Sequence, residues 1–219
     1  MNIFDIIGPI MIGPSSSHTA GAVRMGRVAW KILGETAIKA EIGLVGSFAL
    51  TTKGHGTNKA LIAGILGMKP DDDRIPHSLE IAKDAGLSYH FYVENMPKAH
   101  PNTAVITLTG VKGGTCTIEG VSVGGGNIQI TKLNGMDAAF NGNKDTLIIA
   151  HHDSPGRLAE VTTLLAGRGI NIGSFRLSRP LKNQLAIMTI ETDSSIEKPL
   201  VKQLRALSGV VSVVYMHAS

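Results

Sequence analysis

The sequence predicts an α+β chain of two domains, an N-terminal α/β domain over residues 1–140 and a smaller C-terminal domain over residues 145–219. Three observations carry this. The 219 residues suffice for two modest cores, and 43% apolar content with 26 glycines describes a globular chain rich in turns. In the first part, apolar residues recur at helical spacing in some segments and in strand-like runs in others, with glycine punctuating the changes. Beyond Lys144 the element order becomes β-α-β-β-α-β, the ferredoxin-like arrangement.

In order along the chain, an apolar run at 6–12 is ended by Gly13 and Pro14. Ala22, Met25, Ala29, Ile32 and Leu33 then recur at helical spacing, while Arg24, Arg27 and Lys31 share another face, read as solvated. Residues 41–51 read as a strand centred on Ile42-Gly43-Leu44-Val45, and Thr57 opens a helix with Leu61, Ile62, Ile65 and Leu66 as its apolar side. Asp71-Asp72-Asp73 lacks the alternating ligand spacing of a calcium loop and reads as a solvated turn. A short helix over 76–85 stops at Gly86. Strands follow at 89–94, 104–108, 115–123 and 128–133, the last two joined by Gly124-Gly125-Gly126-Asn127, a pattern used most often for a plain hairpin. Residues 134–144, with Gly, Asn, Asp and Lys, read as the domain boundary. The second domain is then strand 146–151, helix 157–167, strands 170–178 and 184–192, helix 196–207 and strand 210–216.

Two loops carry candidate chemistry. Ser15-Ser16-Ser17-His18-Thr19 places hydroxyls where the helix at Ala22 must be capped. A helix start has unpartnered N–H groups and partial positive charge, so such a turn can receive a carboxylate or phosphate, and His18 can move a proton near neutral pH. A serine run alone is ordinary capping. A second loop, Lys53-Gly54-His55-Gly56-Thr57, repeats the chemistry at another helix start. It lacks the G-x-x-x-x-G-K-[ST] spacing of a phosphate-binding loop, so a nucleotide site is not expected; a small-anion or proton-transfer constellation is. His100-Pro101-Asn102-Thr103, before a strand, either points a polar pair from a sheet edge or is turn chemistry alone.

Charge separates partner classes. Residues 1–144 hold 13 Lys+Arg against 11 Asp+Glu and residues 145–219 hold 8 against 6, so each part is +2 with no basic block. With aromatics at 4%, a nucleic-acid partner is not expected. The single cysteine, Cys116, cannot form an intramolecular disulfide or hold an iron-sulfur cluster by itself, fits a reducing compartment, and reads as a small core residue. The first residues are apolar but have no basic leader and are interrupted by Asp5 and Pro9, so neither a secretory signal nor a membrane span is expected, and the location expected is cytoplasmic.

Asp153-Ser154-Pro155-Gly156-Arg157-Leu158, followed by Gly167-Arg168-Gly169-Ile170-Asn171-Ile172, resembles the ACT domain, a small regulatory module of amino-acid metabolism. The resemblance implies side-by-side self-association through this domain and an amino-acid ligand near Asp153, Gly156, Arg157 and Asn171. The front of the chain, residues 4–21 through Ser15-Ser16-Ser17-His18-Thr19, is similar to the start of the beta chain of iron-sulfur-dependent bacterial L-serine dehydratases. Lys53-Gly54-His55-Gly56-Thr57, His100-Pro101-Asn102-Thr103 and Val123-Gly124-Gly125-Gly126 match later motifs of that family in the same order. That family in turn resembles the allosteric substrate-binding domain of some phosphoglycerate dehydrogenases.

The resemblance implies one subunit of a heteromeric lyase, inactive alone, that converts L-serine to pyruvate and ammonia without pyridoxal phosphate. A separate alpha chain carries the 4Fe-4S cluster, whose open iron acts as Lewis acid while a base removes the α-proton, and no metal is held by this chain. It further implies catalytic roles for His18, His55 and Lys53, with His55 favoured as base because its glycine neighbours leave it reachable. Ser15, Ser16, Ser17, Thr19, Thr57 and Asn102 would bind substrate. A second reading stays open, in which the chain is purely regulatory and the same loops form an allosteric serine site.

Overall fold

The computed structural model describes residues 10–52, 54–181 and 184–218. It divides into two compact units, Met1–Gly135 and Met136–Ser219. In the first, the extended backbone of Ser15 leads into a π-helical turn at Ser16–Gly21 that runs into α1 (Ala22–Leu33). α1 buries Ala22, Val23, Met25, Gly26, Val28 and Ala29 and stops at Gly34, whose φ of 69° only glycine adopts freely. Its other face is not a solvated stripe. Arg24 Nη1 donates to the Gly126 carbonyl at 3.0 Å and Arg27 to that of Gly67.

β1 (Ala37–Leu44) follows, and here the structure departs from the sequence reading. The strand begins earlier and ends at Leu44, and Gly46–Leu50 is a short helix, α2. Gly46, at φ 50°, turns the chain out of the sheet, and Phe48 drives its fully buried ring inward. Next come α3 (Thr57–Ile65), a 3-10 turn at Ile75–His77, α4 (Ser78–Asp84) and β2 (Ser88–Val93), so that β1 and β2 pair in parallel across a helical crossover. β3 (Thr103–Gly110), β4 (Thr115–Gly124) and β5 (Asn127–Leu133) continue the sheet in the order β2-β1-β3-β4-β5 with antiparallel pairings from β1 onward. Gly125 and Gly126, both with positive φ, close the β4–β5 hairpin as the turn chemistry requires. Asp72 is not simply solvated: Arg74 grips both its oxygens, at 2.9 and 2.7 Å, and that hydrogen bonding holds its carboxyl down at about 2.

α1 and α3 are brought together by glycine. A Cβ on Gly26 would fall on the Leu61 carbonyl, and one on Gly64 on the Val23 carbonyl, so the two backbones touch. Because the candidate loops precede these two helices, the glycine contact sets them side by side.

Cys116 lies on β4, buried, and burial pushes its thiol up to about 12. Native protein treated with iodoacetamide at about pH 8 is expected to stay unlabelled, whereas the unfolded chain labels once; equal labelling of both would contradict this burial.

In the second unit, the stretch read as linker carries a strand, β6 (Met136–Phe140), where Ala138 and Phe140 are buried and Asp137 is exposed. Then come β7 (Asp145–His152), α5 (Arg157–Ala166), β8 (Ile172–Ser178), β9 (Leu185–Thr192), α6 (Lys198–Ala206) and β10 (Val210–Met216). This is the expected β-α-β-β-α-β order, and the sheet runs β10-β7-β9-β8, all antiparallel. Leu147, Ile149, Met188, Ile190 and Val213 from its strands pack with Val161 and Leu165 of α5 and Leu200 and Leu204 of α6. Among the described residues no helix is long and apolar enough to cross a membrane.

Candidate active site

The two His-bearing loops meet. The rings of His18 and His55 lie 5.2 Å apart between centroids, tilted by 31°. His18 sits in the π-helical turn, a widened geometry often found at functional sites, and its ring meets Phe48 edge-on at 5.3 Å. The serines before it turn toward the imidazole. Ser17 Oγ lies 3.0 Å and Ser15 Oγ 3.3 Å from Nδ1, while Ser15 Oγ accepts the His18 N–H at 3.2 Å. On the other edge of the ring, Ser47 Oγ lies 3.0 Å from Nε2. The turn is anchored from below by Ser122, fully buried on β4, which donates to the Ser17 carbonyl at 2.9 Å.

Burial first, and then the neighbouring His55, lower the pKa of His18, so it stays neutral at pH values where a free imidazole would protonate. His55 is exposed and held through its backbone, which donates to the Thr51 carbonyl at 2.9 Å. It borders a cavity of about 430 Å³ whose walls include Gly13, Pro14, Thr19, Gly56, Asn58 and Lys59, with Ile12, Ile75 and Pro76 as its apolar side. Thr19 is 2% exposed and Thr57 0%, and the hydroxyl oxygens of both have no hydrogen-bond partner. A buried hydroxyl left unpaired costs about 1–3 kcal/mol. Thr19 lines the cavity, so its unpaired hydroxyl favours a polar guest that pairs with it, whereas Thr57 is fully buried behind the wall.

The structure therefore gathers Ser15, Ser17, His18 and His55, with Thr19 lining the same cavity as His55; Ser16 shares the turn, and Thr57 is buried at the first position of α3. Lys53 lies outside the described residues. Asn102 is tied in through its backbone: its N–H donates to His100 Nδ1 at 3.1 Å and its carbonyl accepts from Ser122 N at 3.0 Å. Ser47, Ser122, Asn58 and Lys59 were not singled out in the sequence. Asn58 and Lys59 follow Thr57 directly and could have been found by extending the loop into the first helical turn; Ser47 was hidden in a segment read as strand.

In the second unit, Gly156 at φ 88° leads into α5. Arg157 binds Ser154 Oγ at 3.0 Å and Glu160 at 2.6 Å, and Asp153 accepts Arg179 at 2.7 Å. Asn171, bound to Asp193 at 2.6 Å, lies beyond the other end of α5, so one copy of the unit does not bring all four residues together.

Comparison with known proteins finds two families along the chain. The serine dehydratase beta chain family matches residues 2–84 and the ACT domain family residues 146–209. The chain is 43% identical over 97% of its length, and 96% of the relative's, to the probable L-serine dehydratase beta chain of Bacillus subtilis (strain 168). It is 41% identical to the L-serine dehydratase beta chain of Peptoniphilus asaccharolyticus, over 94% of this chain and 92% of that one. A D-3-phosphoglycerate dehydrogenase of Bacillus subtilis is 27% identical over 71% of this chain but only 30% of its own length. With such identity along nearly the full length of two relatives, and an ACT domain at its C-terminal end, this chain belongs to the family of L-serine dehydratase beta chains.

Proposed function

We propose that the chain is the beta subunit of an L-serine ammonia-lyase and that it supplies the proton-transfer and substrate-binding loops of an active site completed by an alpha chain. The observation that carries this is the juxtaposition of His18 and His55, with His55 lining a cavity that Thr19 also lines and the buried Thr19 hydroxyl without a hydrogen-bond partner among the described residues. Full-length similarity to proteins named as beta chains supports the partner.

The division of labour follows from the residues. Among those described, no group of three or more His, Cys, Asp or Glu side chains could hold a metal, and the sole thiol is buried on β4, so this chain does not fit a 4Fe-4S cluster of its own. When bound, such a cluster on the partner would supply Lewis-acid help to the departing hydroxyl. Here, the Thr19 hydroxyl and the N–H groups at the start of α3, where Thr57 stands, receive the serine carboxylate, with Lys59 nearby as countercharge. His55 takes the α-proton onto a ring nitrogen, and His18, kept neutral by burial, adds no competing positive charge beside it. Loss of the α-proton and of the β-hydroxyl as water leaves aminoacrylate, which tautomerises to the imine and hydrolyses to pyruvate and ammonia. Self-association of the ACT unit, with Asp153, Gly156 and Arg157 of one copy near Asn171 of another, belongs to the same reading.

Purified beta chain mixed with cluster-loaded alpha chain is expected to form pyruvate from L-serine, while either chain alone does not. Full activity of the alpha chain alone would overturn the proposal. The likeness to a phosphoglycerate dehydrogenase favours a second reading, a regulatory serine site in the same loops. Under it, changing His18 or His55 would alter the activation curve and leave kcat intact.

A further inference from the structure

His18 is held at both ring nitrogens, and the two holds differ in origin. Ser15 and Ser17, on Nδ1, belong to the same turn and move with it. Ser47, 3.0 Å from Nε2, is 29 residues away on α2. A histidine ring anchored only from its own turn swings readily about its last side-chain torsion, which has a broad energy profile. An anchor on the opposite nitrogen, fixed to another part of the fold, stops that swing.

Ser47 is such an anchor. Its carbonyl accepts both the Thr51 N–H at 2.9 Å and the Thr51 hydroxyl at 2.6 Å. The next residue, Phe48, is fully buried and donates its N–H to Val45 O at 3.1 Å and to Pro101 O at 3.2 Å. Before it, Gly46 has φ 50° and lies so close to Pro101 that a Cβ would come within 2.9 Å of the Pro101 Cα. The loop at 100–103 is thus the backstop of α2, and the Asn102 backbone ties it to His100 and Ser122. A hydroxyl can donate or accept, so Ser47 keeps its hold on either imidazole tautomer.

We infer that Ser47 is a positioning residue of the reaction: it fixes the plane of the His18 ring from the far side and so holds His18 against His55 in the arrangement His55 needs to reach the α-proton. This rests on the proton-transfer reading of His55.

The test compares Ser47→Ala, Ser47→Thr and His55→Ala in the assembled enzyme, beside imidazole 15N NMR of the full-length chain. Ser47→Ala is expected to lower kcat about tenfold with KM for L-serine within about twofold, and to displace the low-pH limb of kcat/KM. Ser47→Thr, which keeps the hydroxyl, restores most of kcat. In the NMR, Ser47→Ala moves the His18 ring resonances and leaves those of His90, which is paired with Glu41 on β1, in place. Unchanged kcat and pH limb in Ser47→Ala overturn the inference. Equal losses in the Ala and Thr variants do so too, because packing rather than the hydroxyl would then be responsible. Full activity in His55→Ala sinks the proton-transfer reading itself, whereas loss of activity there with an unaffected Ser47→Ala sinks only the role of Ser47.

Discussion

His55→Ala in the assembled enzyme is expected to cut kcat by about 10²- to 10⁴-fold and to leave KM for L-serine within about threefold, the range for loss of a positioned general base. The reasoning is geometric before it is chemical. His55 stands exposed at the edge of the cavity, and its neighbours Gly54 and Gly56 offer no side chain to screen it. His18, by contrast, is engaged at both nitrogens and desolvated, which suits it to orient its neighbour rather than to take a proton itself. His18→Ala is therefore expected to lose less activity than His55→Ala. Steady-state kinetics of the two variants at saturating serine check the order. A reversed order would exchange their roles, and an unchanged kcat in both would favour the regulatory reading.

The second large effect is on stability. Gly64→Ala places a methyl group on the Val23 carbonyl oxygen, with the Arg27 nitrogen and the Gly26 Cα at 2.8 and 2.9 Å. Every one of those atoms is backbone, so no side chain can rotate away and the helices must separate. Overpacking of this kind costs about 3 kcal/mol, which lowers the unfolding midpoint by roughly 10 °C. The same separation moves His55, which precedes α3, away from His18, which precedes α1, so activity at permissive temperature falls as well. Thermal unfolding followed by circular dichroism, with Gly54→Ala as the control at a position with nothing nearer than 4.0 Å, tests it. A midpoint equal to wild type would mean that α1 and α3 do not touch through these glycines.

Much of this was legible in the residues, and what was not has identifiable causes. α1 declared itself through apolar spacing and Gly34, and the second unit through its alternation of strand and helix patterns, since both signals are local. The Ser15 to Thr19 run announced a polar helix start. That its hydroxyls would turn inward onto the His18 ring, and that the turn would widen to a π-helix, depends on Ser122 and Ser47 approaching from distant segments. α2 was hidden because Val45-Gly46-Ser47-Phe48-Ala49-Leu50 is apolar enough to continue β1; the break comes from the backbone of Gly46 against Pro101, a tertiary contact. Gly26 and Gly64 read locally as weak points in helices, and their meaning appears only when the helices cross. β6 was lost among turn-forming residues, although Met136 to Phe140 alternates in burial as a strand should. Thr19 and Thr57 were visible as helix-start hydroxyls, but their burial without a hydrogen-bond partner among the described residues is a property of the folded chain alone.

The pH profile of kcat/KM, taken for wild type and His55→Ala in the assembled enzyme, addresses most directly whether this chain moves a proton in the reaction. An imidazolium cannot accept the α-proton, so the wild-type profile is expected to fall on the acid side, and that acid limb is expected to vanish in His55→Ala while residual activity becomes flat across the same range. An acid limb that persists unchanged in His55→Ala would contradict the account, because the group that must lose its proton would then not be His55.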